Sequence, residues 1–412
     1  MIMAKKPQIR FQGHQDEWED KKLGETTDRL DNQRIPVAAN LRIHGTTPYY
    51  GANGIQDYVE GHTHSGENVL IAEDGANDVN NYPIQYVEGD IWVNNHAHVL
   101  CGKQGVIDNK FLAFALKRID FSKILVGTTR AKLTAESLVN IDFIAPRNDE
   151  QQKIGDFFTA LDELIGAKEE ELEKLRQLKQ ALLQQMFPAN TDDNLAGGGN
   201  SQITSLLQGS NLTISTAPNT PRIRFKGFTE PWQKKTFGDY GYISMCKRVM
   251  KYQTSVKGEI PFFKIGTFGG EPDAYISREL FTQLKNNYQY PEEGDILISA
   301  AGTLGRAVVF NGKDQYFQDS NIVWLNHKGK IYNPFLKLLY GVVKWNSVEG
   351  STLKRLYNSN ILNSEIYVPE YKEQQMIGDF FREQDEQINA AQQQIKKLTI
   401  IKQALLQKMF AA

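Results

Sequence analysis

The sequence predicts an α+β protein: two globular halves separated by two long repeated helices that form an intramolecular antiparallel coiled coil with pseudo-twofold symmetry. Three observations lead there. Residues 150–187 return as residues 373–410 without a gap, at a constant offset of 223 positions. Within each copy the apolar residues recur at heptad spacing, which marks a helix with a seam. Landmarks outside the helices recur as well, so each half opens and closes alike.

In the first copy Phe158, Ile165, Leu172 and Met186 share one heptad position, interrupted by Lys179. Ile154, Leu161, Leu175 and Leu182 share the other, interrupted by Lys168. The second copy places Ile377, Phe381, Ile388, Ala391, Ile395, Leu398, Leu405 and Met409 at these positions, with Gln384 and Lys402 as breaks. So narrow a stripe needs a partner helix. Each copy lacks internal proline and as one helix would span roughly 57 Å at 1.5 Å per residue. The partner at hand is the other copy, already in the chain. Lys168, Glu169, Glu170, Glu171 and Glu173 read as a solvated face. So do Asp162 and Glu163 beside Lys168, although nuclease sites use the same residue types.

The first half covers residues 1–149, the first helix 150–188, a linker rich in Gly, Ser, Asn and Thr 189–220, the second half 221–372 and the second helix 373–412. The linker composition predicts flexibility. Pro7-Gln-Ile-Arg-Phe11, Trp18 and Gly24 recur as Pro221-Arg-Ile-Arg-Phe225, Trp232 and Gly238. Asn109-Lys-Phe111 has its echo in Asn333-Pro-Phe335, and Gly127-Thr-Thr-Arg-Ala-Lys-Leu133 in Gly350-Ser-Thr-Leu-Lys-Arg-Leu356. Between these matched frames the interiors diverge, which predicts one scaffold presenting two different readers. Short apolar or alternating runs at 68–72, 90–93, 295–299, 306–310 and 321–325, punctuated by Gly, Asn and Asp, predict strands. One helix per half is expected, near 111–118 and 334–344.

A chain of 412 residues suits two domains with connectors. With 40% hydrophobic and 23% charged residues, disordered and fibrous classes are excluded. The N-terminus turns polar after three residues, and no apolar run approaches a bilayer span, so a cytoplasmic location is expected. Cys101 and Cys246 share no metal-like spacing and read as free, semi-buried thiols. The net charge of −2 conceals an asymmetry. Residues 1–149 hold 16 Lys and Arg against 20 Asp and Glu, whereas residues 221–372 hold 21 against 14. The second half is the polyanion binder by bulk charge, and any such surface on the first must be a local patch.

No G-x-x-x-x-G-K-[ST] loop is present to cradle a phosphate. A pocket for an extruded adenine would need paired prolines beside an aromatic. The near misses Asn81-Tyr-Pro83 and Asn333-Pro-Phe335 lack them and read as turns. His44, His62, His64, His96 and His98 cluster in the first half, but no thiolate or well-spaced carboxylate joins them. They read as polar surface or hydrogen-bonding groups, some facing DNA, with no metal site.

What remains favours binding. Lys247, Arg248, Lys251, Lys264, Arg306, Lys354 and Arg355 interleave with aromatics and amides, the side-chain types that contact phosphates, guanine and adenine. Arg130 and Lys132, behind Thr128 and Thr129, occupy the framed position that Ser351 and Thr352 open in the second half. Asn94 and His96 complete the polar candidates of the first half.

At this point the chain resembles the specificity subunit of a Type I restriction-modification system. The resemblance rests on the Glu-Gln-Gln-x-Ile-Gly-Asp-Phe-Phe openings at Glu150 and Glu373, the Gly-[Thr/Ser]-Thr loops at Gly127 and Gly350, and the Leu-Leu-Gln-x-Met-Phe endings at Leu182 and Leu405. Interior stretches match target-recognition domains of that family: Tyr50-Gly-Ala-Asn-Gly-Ile55, which holds Asn53, Leu70-Ile-Ala-Glu-Asp-Gly75, which holds Glu73 and Asp74, and Gly302-Thr-Leu-Gly305, which holds Thr303. The resemblance implies two target-recognition domains, each reading half of an asymmetric bipartite site in double-stranded DNA. It implies two modification subunits, which bring S-adenosylmethionine; where a restriction subunit joins, that subunit brings ATP and Mg, and this chain would hold no cofactor and catalyse nothing. Helix length would then set the gap between half-sites, since a duplex turn advances about 34 Å. Two other classes compete: a self-sufficient DNA methyltransferase or nuclease, and a coiled-coil adaptor that binds protein alone.

Overall fold

The computed structural model describes residues 6–127, 131–188, 210–215, 220–345 and 355–411. Both repeated segments are single helices, Asn148–Gln185 and Tyr371–Met409. The chain divides into two compact units, residues 1–171 with 392–412 and residues 172–391. Because the division falls inside both long helices, each unit owns the start of one and the end of the other.

In the first unit, four antiparallel strands lie in the order Thr27–Arg29, Ala97–Gly102, Asn68–Ala72, Ile84–Val87. Every residue of Asn68–Ala72 is buried, as expected of a strand covered on both faces. A second sheet sets His44–Gly51 between Gly54–Val59 and Trp92–Val93, antiparallel to the former and parallel to the latter. The second unit repeats both sheets. Its four strands are ordered Tyr242–Met245, Ile322–Asn326, Ile296–Ser299, Ala307–Val309. Its three are Tyr275–Ile276, Ile260–Phe263 and Tyr316–Phe317, again with one antiparallel and one parallel neighbour.

The duplicated signature residues are structural. Arg10 donates from Nε and Nη2 to the Glu150 carboxylate at 2.9 and 2.6 Å, and Arg224 does the same to Glu373 at 2.7 and 2.9 Å. The Gln151 side-chain amide spans Asp108 N and Pro146 O, as Gln374 spans Tyr332 N and Pro369 O. Gly155 and Gly378 let the long helix touch the start of a short one. A Cβ at Gly155 would lie 2.8 Å from Phe111 N, and one at Gly378 2.9 Å from Phe335 N. The short helices, Asn109–Leu116 and Asn333–Val342, fall where the sequence placed them.

Each core is closed by the end of a long helix that begins in the other unit. Phe410 stacks on Phe111 at 5.3 Å and meets Trp18 edge-on at 6.0 Å. Phe187 stacks on Phe335 at 5.6 Å and meets Trp232 edge-on at 5.7 Å. All six rings are buried. Beyond the aromatic plugs the long helices run antiparallel within each unit. Phe158 lies 6.0 Å from Phe410, and Asp162, a turn further on, pairs with Lys402, two turns back. In the second unit Met186 shares a core with Phe381, and Lys179 pairs with Asp385. None of the seam residues Phe158, Leu161, Ile165, Leu172, Leu175, Leu182, Phe381, Ile388, Ile395, Leu398 and Leu405 is exposed.

Several details differ from the sequence reading. Asp162 is an interhelical ion-pair partner rather than simply a solvated group. The second unit holds a further helix, Arg278–Asn287, capped by Ser277, and short helices Ala135–Val139 and Asn358–Leu362 add to the one expected per half. Of the linker, residues 189–209 and 216–219 lie outside the described residues, and Leu212–Ile214 is a strand paired with Ile223–Phe225. His64 and His98 are buried rather than loop surface.

Candidate nucleic-acid interface

In the first unit several candidates meet at one end of the four-stranded sheet. Glu73 and Asp74 leave strand Asn68–Ala72, while Asn94 and His96 enter Ala97–Gly102. Asp74 Oδ1 lies 2.5 Å from His96 Nδ1, and Glu73 N donates to His96 O at 2.8 Å. Asn53, in the tight turn before Gly54–Val59, donates to Gly75 O at 2.9 Å and accepts from Asn77 N at 3.0 Å. The turn and the 73–77 loop are thereby fixed to each other. Thr128, Thr129 and Arg130 lie outside the described residues.

Two of these candidates are placed to hold the loop rather than to face a ligand. Asn94 is buried and its Oδ1 accepts from His96 N at 2.8 Å. Glu73 takes Arg34 and Lys132 at 2.6 Å each. Burial alone would raise the Glu73 carboxyl, but the hydrogen bonds from Lys132 and Arg34 outweigh it and hold the group below the ordinary carboxylate range. Asp31 behaves likewise, with burial opposed by His98 and the Val99 amide. His98 joins them, with Nδ1 2.7 Å from Asp31 Oδ2 and Nε2 2.9 Å from Leu133 O. Asp31, Glu73 and His98 are close enough together to suit a metal ion, yet both carboxylates already carry Arg or Lys partners. An ion-pair network that anchors Lys132 accounts for them. Arg34 and Asp31 were missed from the sequence because neither sits in a repeated frame.

In the second unit four of the basic candidates converge. A groove of about 470 Å³ is lined by Arg248, Lys251, Lys264 and Arg355, with Asp319 its one acidic wall. Arg248 Nε donates to Asp319 at 2.8 Å, Lys264 pairs with Asp273 at 2.8 Å, and Arg355 donates to Ser320 O at 3.2 Å. Ser320 holds a left-handed φ of 53°, an uncommon conformation for a residue with a side chain, and it aims that carbonyl at Arg355. Gln318, Ser320 and Asn321 add polar lining that the sequence did not single out. A larger cleft of about 540 Å³ is walled by Glu292, Glu293 and Asp295, which suits it poorly to a polyanion.

Lys247, Thr303 and Arg306 stand apart from the groove lining. Lys247 lies over the Tyr288 ring at 4.9 Å. Arg306 donates to Phe268 O at 3.0 Å, and the exposed Thr303 sits in the hairpin turn framed by left-handed Gly302 and Gly305. Ser351, Thr352 and Lys354 lie outside the described residues. Cys246 is free and buried, its thiol pushed up to about 12 by that burial, and Cys101 is free and half-buried. Among the described residues no helix is long and apolar enough to cross a membrane.

Fold and site together define a duplicated recognition protein: one frame used twice, with different loops at the candidate surfaces. The chain belongs to the family described as Type I restriction modification DNA specificity domain, which it matches over residues 15–177 and again over 229–399. It is similar to a putative type I restriction enzyme specificity subunit of Haemophilus influenzae, 41% identical over 368 residues, which span 89% of this chain and 87% of that one. A crystal structure of the Type-I restriction-modification system S subunit from M. genitalium shares the fold, with a TM-score of 0.65 over 98% of this chain and 99% of that one at 15% identity. The protein is thus a Type I specificity subunit with two DNA specificity domains in tandem.

Proposed function

We propose that the two units read the two halves of an asymmetric, bipartite site in double-stranded DNA, and that the chain brings two modification subunits, and restriction subunits where present, to that site in the cytoplasm. The observation that carries this is the pairing of one repeated internal frame with two unlike surfaces. In the second unit four cations converge on one groove, while in the first the candidates form a charge-balanced loop cluster. The cations supply phosphate contacts and their loops supply side chains to base edges. S-adenosylmethionine would reside in the modification subunits, and ATP with Mg in the restriction subunits. The chain itself would perform no chemistry.

The test is methyl transfer from labelled S-adenosylmethionine to duplex DNA by the purified chain, with and without modification subunits. Transfer only in their presence is the expected result; transfer by the chain alone would overturn the reading in favour of a self-sufficient methyltransferase. Gel shift of the assembled complex against random duplexes separates DNA binding from a purely protein-binding adaptor.

A further inference from the structure

The rim of the basic groove carries a feature that charge does not explain. Met250, Tyr252 and Val256 are 48%, 83% and 83% exposed; the first two belong to the short turn around Lys251–Gln253, and Val256 follows it. Scattered apolar residues on a surface are ordinary; three within seven residues, beside four cations, make a patch. The turn is not loose. Gln253 Oε1 accepts from Met250 N and Gln253 N donates to Met250 O, both at 2.9 Å. Thr254 Oγ1 donates to Lys251 O at 2.8 Å, and Ser255 exchanges two backbone hydrogen bonds of 2.9 Å with Tyr275. Lys251 and Thr254, on either side, line the groove itself.

A fixed turn that offers a ring to water beside phosphate-type cations has the layout of a groove reader. Charged groups meet the two backbones of a duplex, and an uncharged group reaches the base edges between them. We propose that Tyr252 contacts bases in the half-site read by the second unit, its ring lying against a base edge such as a thymine methyl, while Lys251 beside it takes a phosphate. This rests on the DNA-reading function proposed above. Because the turn is already ordered, little conformational freedom is lost when the ring is buried against DNA.

The ring is neutral, so its loss should change sequence discrimination and leave the salt dependence alone. A phosphate-contacting lysine should do the reverse. The test uses the full chain assembled with its modification subunits, and duplexes carrying either the site found by methylome sequencing or random sequence. Tyr252→Ala is expected to lose about tenfold in preference for the site over random duplex, with an unchanged salt slope. Tyr252→Phe should stay within about twofold of the parent, because it keeps the ring. Equal loss of specific and random affinity, no loss at all, or a Phe variant as poor as the Ala variant would overturn the assignment. Lys251→Ala should reduce the salt slope by about one. If only Lys251→Ala alters binding, or neither variant does, the Tyr252 role falls and the DNA-reading function stands; if the parent complex itself shows no preference for the site over random duplex, the DNA-reading function falls as well. With Tyr252 so exposed, unfolding of both Tyr252 variants should match the parent and exclude a folding defect.

Discussion

The two units agree in their frame and disagree at their candidate surfaces. Arg10 with Glu150 repeats as Arg224 with Glu373, and the ring triad of Trp18, Phe111 and Phe410 repeats as Trp232, Phe335 and Phe187. At the surface, the first unit spends its charges on one another, in the network of Asp31, Arg34, Glu73, His98 and Lys132. The second gathers four basic residues around one aspartate. A frame held by buried contacts tolerates such divergence because none of those contacts reaches the loops. Duplication can therefore yield two specificities without two folds.

The largest effects should come from the plugs. Phe410→Ala and Phe187→Ala each open a packed aromatic core and should cost about 3–5 kcal/mol. Each should loosen the unit in which its ring is buried. Limited proteolysis with mass mapping checks this: Phe410→Ala should expose the first unit, hundreds of residues upstream, and spare the second. Opening of the same unit by both variants would break the symmetry.

Next come the buried ion pairs. Glu373→Gln leaves Arg224 uncompensated among groups only a few per cent exposed and should cost about 3 kcal/mol. Glu150→Gln should cost less, because the Arg10 side chain keeps 13% exposure and can regain water. Urea unfolding of the two variants ranks them, and equal losses would show that burial does not set the difference.

Acid should act on both units through histidines. Burial holds His64 and His327 below the ordinary imidazole range. Each makes hydrogen bonds that suit a neutral ring, His64 with Thr63 and Leu30 O, His327 with Asn333 and Ile331 N. The unfolded chain takes up these protons first, so stability is full above about pH 6.5 and falls as pH drops through that value toward the lower folded pKa. The first unit should show a further loss below the carboxylate range, where Asp31 and Glu73, both depressed by their partners, become protonated. Thermal unfolding from about pH 8 down to about pH 2 tests both losses, and His327→Asn should flatten the first decline for the second unit alone.

The smallest effect belongs to the paired interhelical contacts, Lys402 with Asp162 and Lys179 with Asp385. These groups are partly exposed, so each pair should contribute only about 0.5–1 kcal/mol. The exchange Asp162→Lys with Lys402→Asp should recover most of what either single change loses, as a double-mutant cycle would show.

The long helices were legible because a heptad pattern that persists through single polar breaks has few other readings, and the repeated landmarks marked out two similar halves. Trp18, Trp232, Phe111 and Phe335 stood out as repeats, but their joint packing against Phe187 and Phe410 did not, since a helix's terminal ring reveals nothing of which core receives it. The hydrogen-bonding role of His64 and His98 was among the readings, but their burial was not legible, because their neighbourhood is rich in Asn and Gly while each ring turns inward to backbone and side-chain partners. The basic groove was visible as composition. Its membership was not: Lys247 and Arg306 stand outside it, and Ser320's left-handed turn leaves no mark in sequence.

The division of labour between the units is tested most directly by methylome sequencing of cells carrying all the subunits and this chain with the base-reading Tyr252 changed to Ala. Each unit reading its own half-site predicts methylation that becomes permissive or weak at one half of the bipartite motif and keeps the other half unchanged. Relaxation of both halves together, or of neither, would contradict it.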